Sequence, residues 1–124
     1  MNREQLQRQL NELVELAGSD RAAVDYILKV KGCAPTHSAI YKARKGSGTD
    51  YTVACYISDI KEGMNMLKQE LVNAVTEQRA IVTQIDHDGT AFIEYNGQQR
   101  FLEMKDLQLQ DRKVINDAYK VYTK

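Results

Sequence analysis

The tightest constraint on the fold is Asn96-Gly97, a dipeptide that separates two runs of alternating apolar and polar residues. Asn-Gly is the preferred pair in the two-residue type I′ loop that joins antiparallel strands. Asp88-Gly89 marks another turn earlier in the same region. The sequence therefore predicts a three-stranded antiparallel meander over residues 80–104. The expected cross-strand pairs, one on each face, are Phe92 with Phe101 and Ala91 with Leu102.

Helical periodicity accounts for much of the remaining chain. Apolar residues recur at spacings of three and four in residues 3–17, 20–30 and 111–122. This period is typical of amphipathic helices with one face in a core. Gly18 and Gly32 follow the first two segments and are suited to left-handed caps. The sequence therefore predicts two N-terminal helices and one C-terminal helix.

A long central helix is expected over residues 58–78, capped by Ser58 or Asp59. Its apolar positions repeat at four, three, four and three residues. Such a seam is found both in core helices and in helices that form dimers, so both interpretations stay open. The seam residues are Ile60, Met64, Leu67, Leu71 and Ala74.

Two segments before this helix have less regular patterns. Residues 38–45 fit either a short helix capped by Thr36 or a strand followed by a hairpin loop at residues 46–50. Residues 51–57 are rich in β-branched and aromatic side chains, which favours a strand. The residues expected to share one face of that strand are Tyr51, Val53, Cys55 and Ile57.

These elements together predict an α+β fold: N-terminal helices, a strand, a long central helix, the meander and a C-terminal helix. A chain of 124 residues, 43% hydrophobic and 27% charged, is expected to form one domain with one core. Within it we distinguish a basic helical part, residues 1–57, from residues 58–124, which hold the central helix, the meander and the last helix.

The composition also suggests a compartment. No apolar run approaches the roughly 20 residues of a membrane helix, and the polar first residues do not resemble a secretory signal. We therefore expect a cytoplasmic protein that does not associate with membranes. Cys33 and Cys55, the two cysteines, are expected to be reduced thiols rather than a disulfide.

The charges are segregated although they balance. The protein has 17 basic and 17 acidic residues, yet residues 26–49 contain five basic residues and no acidic one. A local basic segment can hold an anion even in a neutral protein. We therefore predict a nucleic-acid-binding site in this segment. Its candidate residues are Lys29, Lys31, Ser38, Tyr41, Lys42, Arg44 and Lys45.

The same region carries a local resemblance to a known family. Ser38-Ala39-Ile40-Tyr41-Lys42-Ala43 follows a capped helix and a glycine, and precedes basic residues and another glycine. Residues 19–57 thereby resemble the helix-turn-helix of phage Cro-type repressors. The resemblance implies a dimeric DNA-binding regulator, phage- or plasmid-like, whose second helix enters the major groove. It gives DNA-facing roles to Ser38, Lys42 and Arg44.

Other functions remain open from the sequence. The segment can also be a solvated basic hairpin with no ligand. Zero net charge fits a protein-interaction module or an inhibitor of another protein, because dedicated nucleic-acid binders are usually basic overall. A third hypothesis is a nucleotide-binding protein. In it Arg44 and Lys45 hold phosphate while Tyr41 or Tyr51 stacks on the base.

The sequence predicts no catalytic residue, cofactor or metal. Cys33 and His37 have a spacing suited to one metal ion, but a structural zinc site needs four ligands and the others are scattered. Asp86-His87-Asp88 is a turn whose side chains are expected to diverge. The loop at residues 46–49 lacks the Gly-Lys-Ser/Thr end of a phosphate-binding loop and is expected to lead into a strand.

Overall fold

The computed structural model describes residues 2–122. Over these residues the fold is α+β, as predicted, with five α-helices, one 3₁₀ turn and one antiparallel sheet. None of the described helices is long and apolar enough to span a bilayer. The helices are α1 (Arg3–Ala17), α2 (Asp20–Lys31), α3 (His37–Arg44), α4 (Asp50–Thr76) and α5 (Leu109–Tyr122), the strands are β1 (Ala80–Ile85), β2 (Thr90–Tyr95) and β3 (Gln98–Glu103), and the 3₁₀ turn is Met104–Asp106.

The chain divides into two compact units, Met1–Met66 and Leu67–Lys124. The first contains α1, α2, α3 and the N-terminal part of α4, and the second contains the rest of α4, the sheet and α5. This boundary lies inside α4, nine residues after the boundary drawn at residue 57 from the charge pattern. That the whole chain forms one domain stays a prediction.

The first unit has a helical core held at its ends by caps. Asn2 and Gln5 form a reciprocal capping box at the start of α1, and Ser19 accepts a hydrogen bond from the Ala22 amide at the start of α2. Gly18 and Gly32 end these helices in left-handed conformations, which glycine adopts without a Cβ penalty. The predicted helices are therefore confirmed. Their buried residues are Leu6, Leu10, Leu13, Val14, Ala23 and Ile27.

The ambiguous segment at residues 38–45 is helical. Thr36 Oγ1 accepts a hydrogen bond from the Ala39 amide at 3.1 Å and so caps α3. Ile40 and Ala43, three residues apart, are both buried in the first unit. One buried face on a capped turn is what an amphipathic helix requires. The helix alternative is confirmed and the hairpin alternatives, with or without a ligand, are wrong.

The predicted strand at residues 51–57 is wrong, because these residues form the first two turns of α4. Thr49 Oγ1 accepts from the Thr52 amide at 3.1 Å, in the position of an N-cap. Val53, Ile57 and Ile60 are buried at helical spacing, while Tyr51 is 79% exposed. Packing of this stripe outweighs the intrinsic β-propensity of the segment.

The predicted start of the central helix at residue 58 is therefore also wrong. Asp59 is not a cap but a buried residue inside α4, where its carboxylate lies 3.5 Å from Lys31 Nζ. The predicted seam residues are confirmed as helical, and Ile60, Leu71 and Ala74 are buried in the cores of the units to which they belong. The helix ends at Thr76, two residues before the expected end.

The second unit contains the predicted meander. The strand order is β1-β2-β3, both pairings are antiparallel, and Phe92 pairs with Phe101 and Ala91 with Leu102. Asn96 and Gly97 both have positive φ, as a type I′ loop requires. The Ala91–Leu102 pair is buried, whereas Phe101 on the other face is 66% exposed. The fold and register of the meander are confirmed.

The core of this unit lies between the sheet and two helices. Leu71, Val75 and Ile115 are buried in one cluster with the inner face of the sheet. The last helix begins at Leu109, two residues earlier than predicted, and Ala118 packs at the edge of the same cluster. The side chain of Tyr122, also expected on this face, lies outside the described residues.

Candidate nucleic-acid interface

Four of the predicted site residues form one exposed stripe along α3. Ser38, Tyr41, Lys42 and Lys45 are spaced so that they lie on one face over two helical turns, and all four are exposed. We call these four residues the α3 stripe. Ile40 and Ala43 occupy the opposite, buried face. The core therefore fixes which face α3 turns toward solvent.

The α3 stripe combines cations, an aromatic ring and a hydroxyl, and contains no acidic residue. Lys45 Nζ lies 5.6 Å from the centroid of the Tyr41 ring, within cation–π range. Lys42 makes no ion pair with any residue that the structure describes. Ammonium groups contact phosphates, whereas hydroxyls and amphipathic rings can reach base edges and sugars. The stripe therefore has the chemistry of a nucleic-acid-binding surface.

Arg44, a predicted site residue, does not belong to this stripe. Its guanidinium is about one quarter exposed, with Nε donating to Asn11 Oδ1 at 2.7 Å and Nη1 donating to Asp20 Oδ1 at 3.0 Å. These contacts join α3 to α1 and α2. The side chain makes these contacts inside the first unit, whereas the sequence predicted that it faces DNA.

Lys29 and Lys31 lie at the end of α2, and Lys31 pairs with an acid from another helix. Its Nζ lies 3.5 Å from Asp59 Oδ2, and the Asp59 side chain is only 12% exposed. Lys29 is exposed in the last turn of α2. Of the five cations in the acid-free segment, Lys31 and Arg44 thus have carboxylate partners from outside it. Acidic residues from outside the segment therefore neutralise part of its positive charge in the folded structure.

Arg3, which the sequence reasoning missed, organises the loop between α3 and α4. Its Nη2 donates to the carbonyl oxygens of Gly46, Ser47 and Gly48 at 2.7 to 2.9 Å, and its Nη1 pairs with Asp50 at 3.0 Å. Backbone carbonyls attract cations, so this loop surrounds a guanidinium of the protein itself. The loop leads into a helix and not into the expected strand.

The remaining candidates are separated in space or used locally. Within the part of the chain that the structure describes, no three His, Cys, Asp or Glu residues come together to hold a metal ion. Asp88 accepts from the Thr90 amide at 3.1 Å, as a turn residue does. Cys33 is an exposed thiol and Cys55 a half-buried one. The nucleotide hypothesis has Arg44 and Lys45 hold the phosphate. In the structure, the Arg44 guanidinium hydrogen bonds to Asp20 and Asn11.

No protein-family model matches this chain, and no curated protein or solved structure matches it at a significant level. The first unit has the geometry from which a function can be inferred. That geometry consists of a capped helix, a turn with a left-handed glycine and a second helix with an exposed cationic stripe.

Proposed function

We propose that this protein is a small helix-turn-helix regulator that binds double-stranded DNA through the α3 stripe. The observation that carries the proposal is the exposed combination of Ser38, Tyr41, Lys42 and Lys45 on a helix whose opposite face is buried. In helix-turn-helix proteins the second helix enters the major groove while the helix before it crosses the backbone. Here α3 would enter the groove and α2 would cross the backbone.

The two ends of the stripe suit different parts of DNA. Recognition helices contact base edges mainly through their N-terminal residues, so Ser38 is the candidate for base contacts. Lys42 and Lys45 follow one and two turns later, where ammonium groups would contact phosphates. Tyr41 stands between the two groups and can contact a base edge or a sugar. Lys29 at the end of α2 would extend the phosphate contacts to the crossing helix.

The ion pairs described above would then set the angle at which α3 meets DNA. Arg44 ties α3 to Asn11 and Asp20, and Arg3 ties the following loop to α1. Charge-assisted hydrogen bonds of this kind are shorter and stronger than neutral ones. We assign Arg44 and Arg3 a positioning role in DNA binding.

A neutral protein that makes few cationic contacts would bind DNA more tightly as a dimer than as a monomer. Helix-turn-helix dimers place two recognition helices in successive major grooves, about 34 Å apart, which doubles the phosphate contacts. The proposed functional form is therefore a homodimer on a site with two half-sites. As a phage- or plasmid-like regulator it would act in the cytoplasm.

The proposal predicts salt-dependent binding to duplex DNA. A labelled random duplex titrated with protein should show fluorescence anisotropy that reports binding at about 50 mM salt. The affinity should fall by about tenfold or more at about 200 mM salt, because each neutralised phosphate releases counterions. Binding that is absent at both salt concentrations would contradict the proposal and favour a protein partner.

A further inference from the structure

The sheet of the second unit ends at β1, the strand against which α5 packs. The strand order leaves one side of β1 without a neighbouring strand among the described residues. Its sequence, Ala-Ile-Val-Thr-Gln-Ile, contains no charged residue and no proline. Folded proteins usually guard exposed edges with such residues because an unpaired strand recruits another chain. The other edge strand, β3, carries Arg100 and Glu103.

An apolar groove lies beside this edge. Val75 from α4, Val82 from β1, and Val114, Ala118 and Val121 from α5 line it. Two of the neighbouring apolar side chains are exposed, Ile81 to 48% and Val121 to 75%. A strand that paired with β1 would cover Ile81 and bring apolar side chains over this groove. The edge therefore offers both backbone hydrogen bonds and apolar surface.

The two ends of β1 carry opposite charges. Arg79 precedes the strand and Asp86 follows it, and the Arg79 side chain is half exposed. Arg79 Nε donates to Glu77 Oε2 at 2.8 Å within the same copy, and this hydrogen bond raises the pKa of the guanidinium. In an antiparallel pair of two β1 strands, the start of one lies opposite the end of the other. Arg79 of each copy would then face Asp86 of its partner.

The bulge in β1 brings residues at the two ends of the strand onto shared faces. Ala80, Val82 and Ile85 face the core side, whereas Ile81 and Gln84 face the other side, because Thr83 is inserted between two ladder positions. Residues opposite each other in an antiparallel pair share a face. Pairing residue 80 with 85 and residue 81 with 84 of a second copy satisfies this rule at both ends of the strand. A bulge-free strand would not satisfy it in the register that pairs Arg79 with Asp86.

We propose that β1 is the homodimer interface, at which two copies of this chain pair their β1 strands antiparallel about a two-fold axis near Val82 and Thr83. The result is a continuous six-stranded sheet with two reciprocal Arg79–Asp86 ion pairs. Such an interface is isologous, so it closes at two copies and does not propagate. The inference rests on the homodimer part of the proposed function and is independent of DNA binding.

A charge-swap cycle tests the register. Sedimentation velocity of the full chain without DNA should show a concentration-dependent dimer. Arg79→Asp or Asp86→Arg alone places like charges opposite each other at two sites, and each should raise the dimer dissociation constant by about tenfold. The double variant restores opposite charges and should return the constant to near the wild-type value.

A second pair of variants tests the surface. Ile81→Lys puts a charge on the edge and should abolish the dimer, and the monomer is preserved because the lysine faces Glu94 across the strands. Phe101→Lys, a matched change of an exposed apolar residue on β3, should leave the dimer intact.

The inference is overturned by a monomeric wild type up to about 1 mM, by a dimer that persists in Ile81→Lys, or by a double swap that does not restore the dimer. None of these results depends on DNA, so loss of this interface and loss of DNA binding are separable.

Discussion

We expect Gly63→Ala to lower the free energy of unfolding by about 1–3 kcal/mol. Gly63 lies on α4 inside the first unit, where an added Cβ would stand 2.5 Å from the Tyr26 carbonyl oxygen and 2.8 Å from the Tyr26 Cβ. A Cβ does not approach nonbonded carbon or oxygen atoms so closely in proteins. The nearest atom here, the Tyr26 carbonyl oxygen, belongs to the backbone and cannot rotate away. The helices α2 and α4 would have to move apart to admit one methyl group.

The sign of this effect separates packing from helix propensity. Glycine inside a helix is destabilising by roughly 1 kcal/mol relative to alanine, so propensity alone predicts that Gly63→Ala stabilises the protein. Urea unfolding followed by circular dichroism measures the difference. Ala54→Gly, at an exposed position of the same helix, is the control and should cost about 1 kcal/mol. A Gly63→Ala variant more stable than wild type would show that α2 and α4 do not approach at this point.

We expect Arg44→Met to weaken DNA binding without changing its dependence on salt. The variant loses the hydrogen bonds to Asn11 and Asp20 and leaves the Asp20 carboxylate without this partner, at a cost of about 1–3 kcal/mol of stability. The angle of α3 is then less well fixed, so affinity falls. The slope of log affinity against log salt stays at the wild-type value because no phosphate contact is lost.

A direct phosphate contact by Arg44 would give a different result, since its removal lowers the slope by about 0.9 for each bound protomer. Asp20→Asn is the decisive companion variant. Removing an acidic charge should by itself strengthen binding to a polyanion, but loss of the Arg44 ion pair should weaken it. Tighter DNA binding by Asp20→Asn would contradict the positioning role. The anisotropy titrations are to be made at a temperature at which both variants are folded.

The sequence was most informative where local chemistry determines structure. Asn96-Gly97 specifies its loop through the positive φ of both residues, and the loop then fixes the pairing of Phe92 with Phe101. The caps at Ser19 and Thr36 were recognisable for the same reason, because each hydrogen bond spans only three residues. Interactions between residues that are close together in the sequence can therefore be recognised from the sequence alone.

The start of α4 was missed because two periodicities coincide there. Val53 and Ile57 are buried in the structure, and residues four apart share a face in a strand as well as in a helix. Ile60 distinguishes the two, because it continues the helical spacing and lies on the opposite face of a strand. Thr49 as an N-cap was the second available signal.

The surroundings of the candidate site residues could be predicted only in part, because several of their partners are distant along the chain. The α3 stripe follows from helical spacing once the helix is known. The partners of Arg44 and Lys31 are 24 and 28 residues away in sequence, and no local pattern reports them. Arg3 contacts its loop across more than 40 residues. Counting charges in a segment therefore overstated the cations available to a ligand.

The most direct test of DNA binding by the α3 stripe compares two double variants that have the same net charge. Lys42→Ala with Lys45→Ala removes the stripe's cations, and Lys61→Ala with Lys113→Ala removes two exposed lysines elsewhere. The measurement is the salt dependence of duplex affinity by anisotropy. We predict that the first double variant loses, for each bound protomer, about 30-fold in affinity at low salt and about 2 in slope, and that the second stays close to wild type. Equal behaviour of the two double variants would contradict the account.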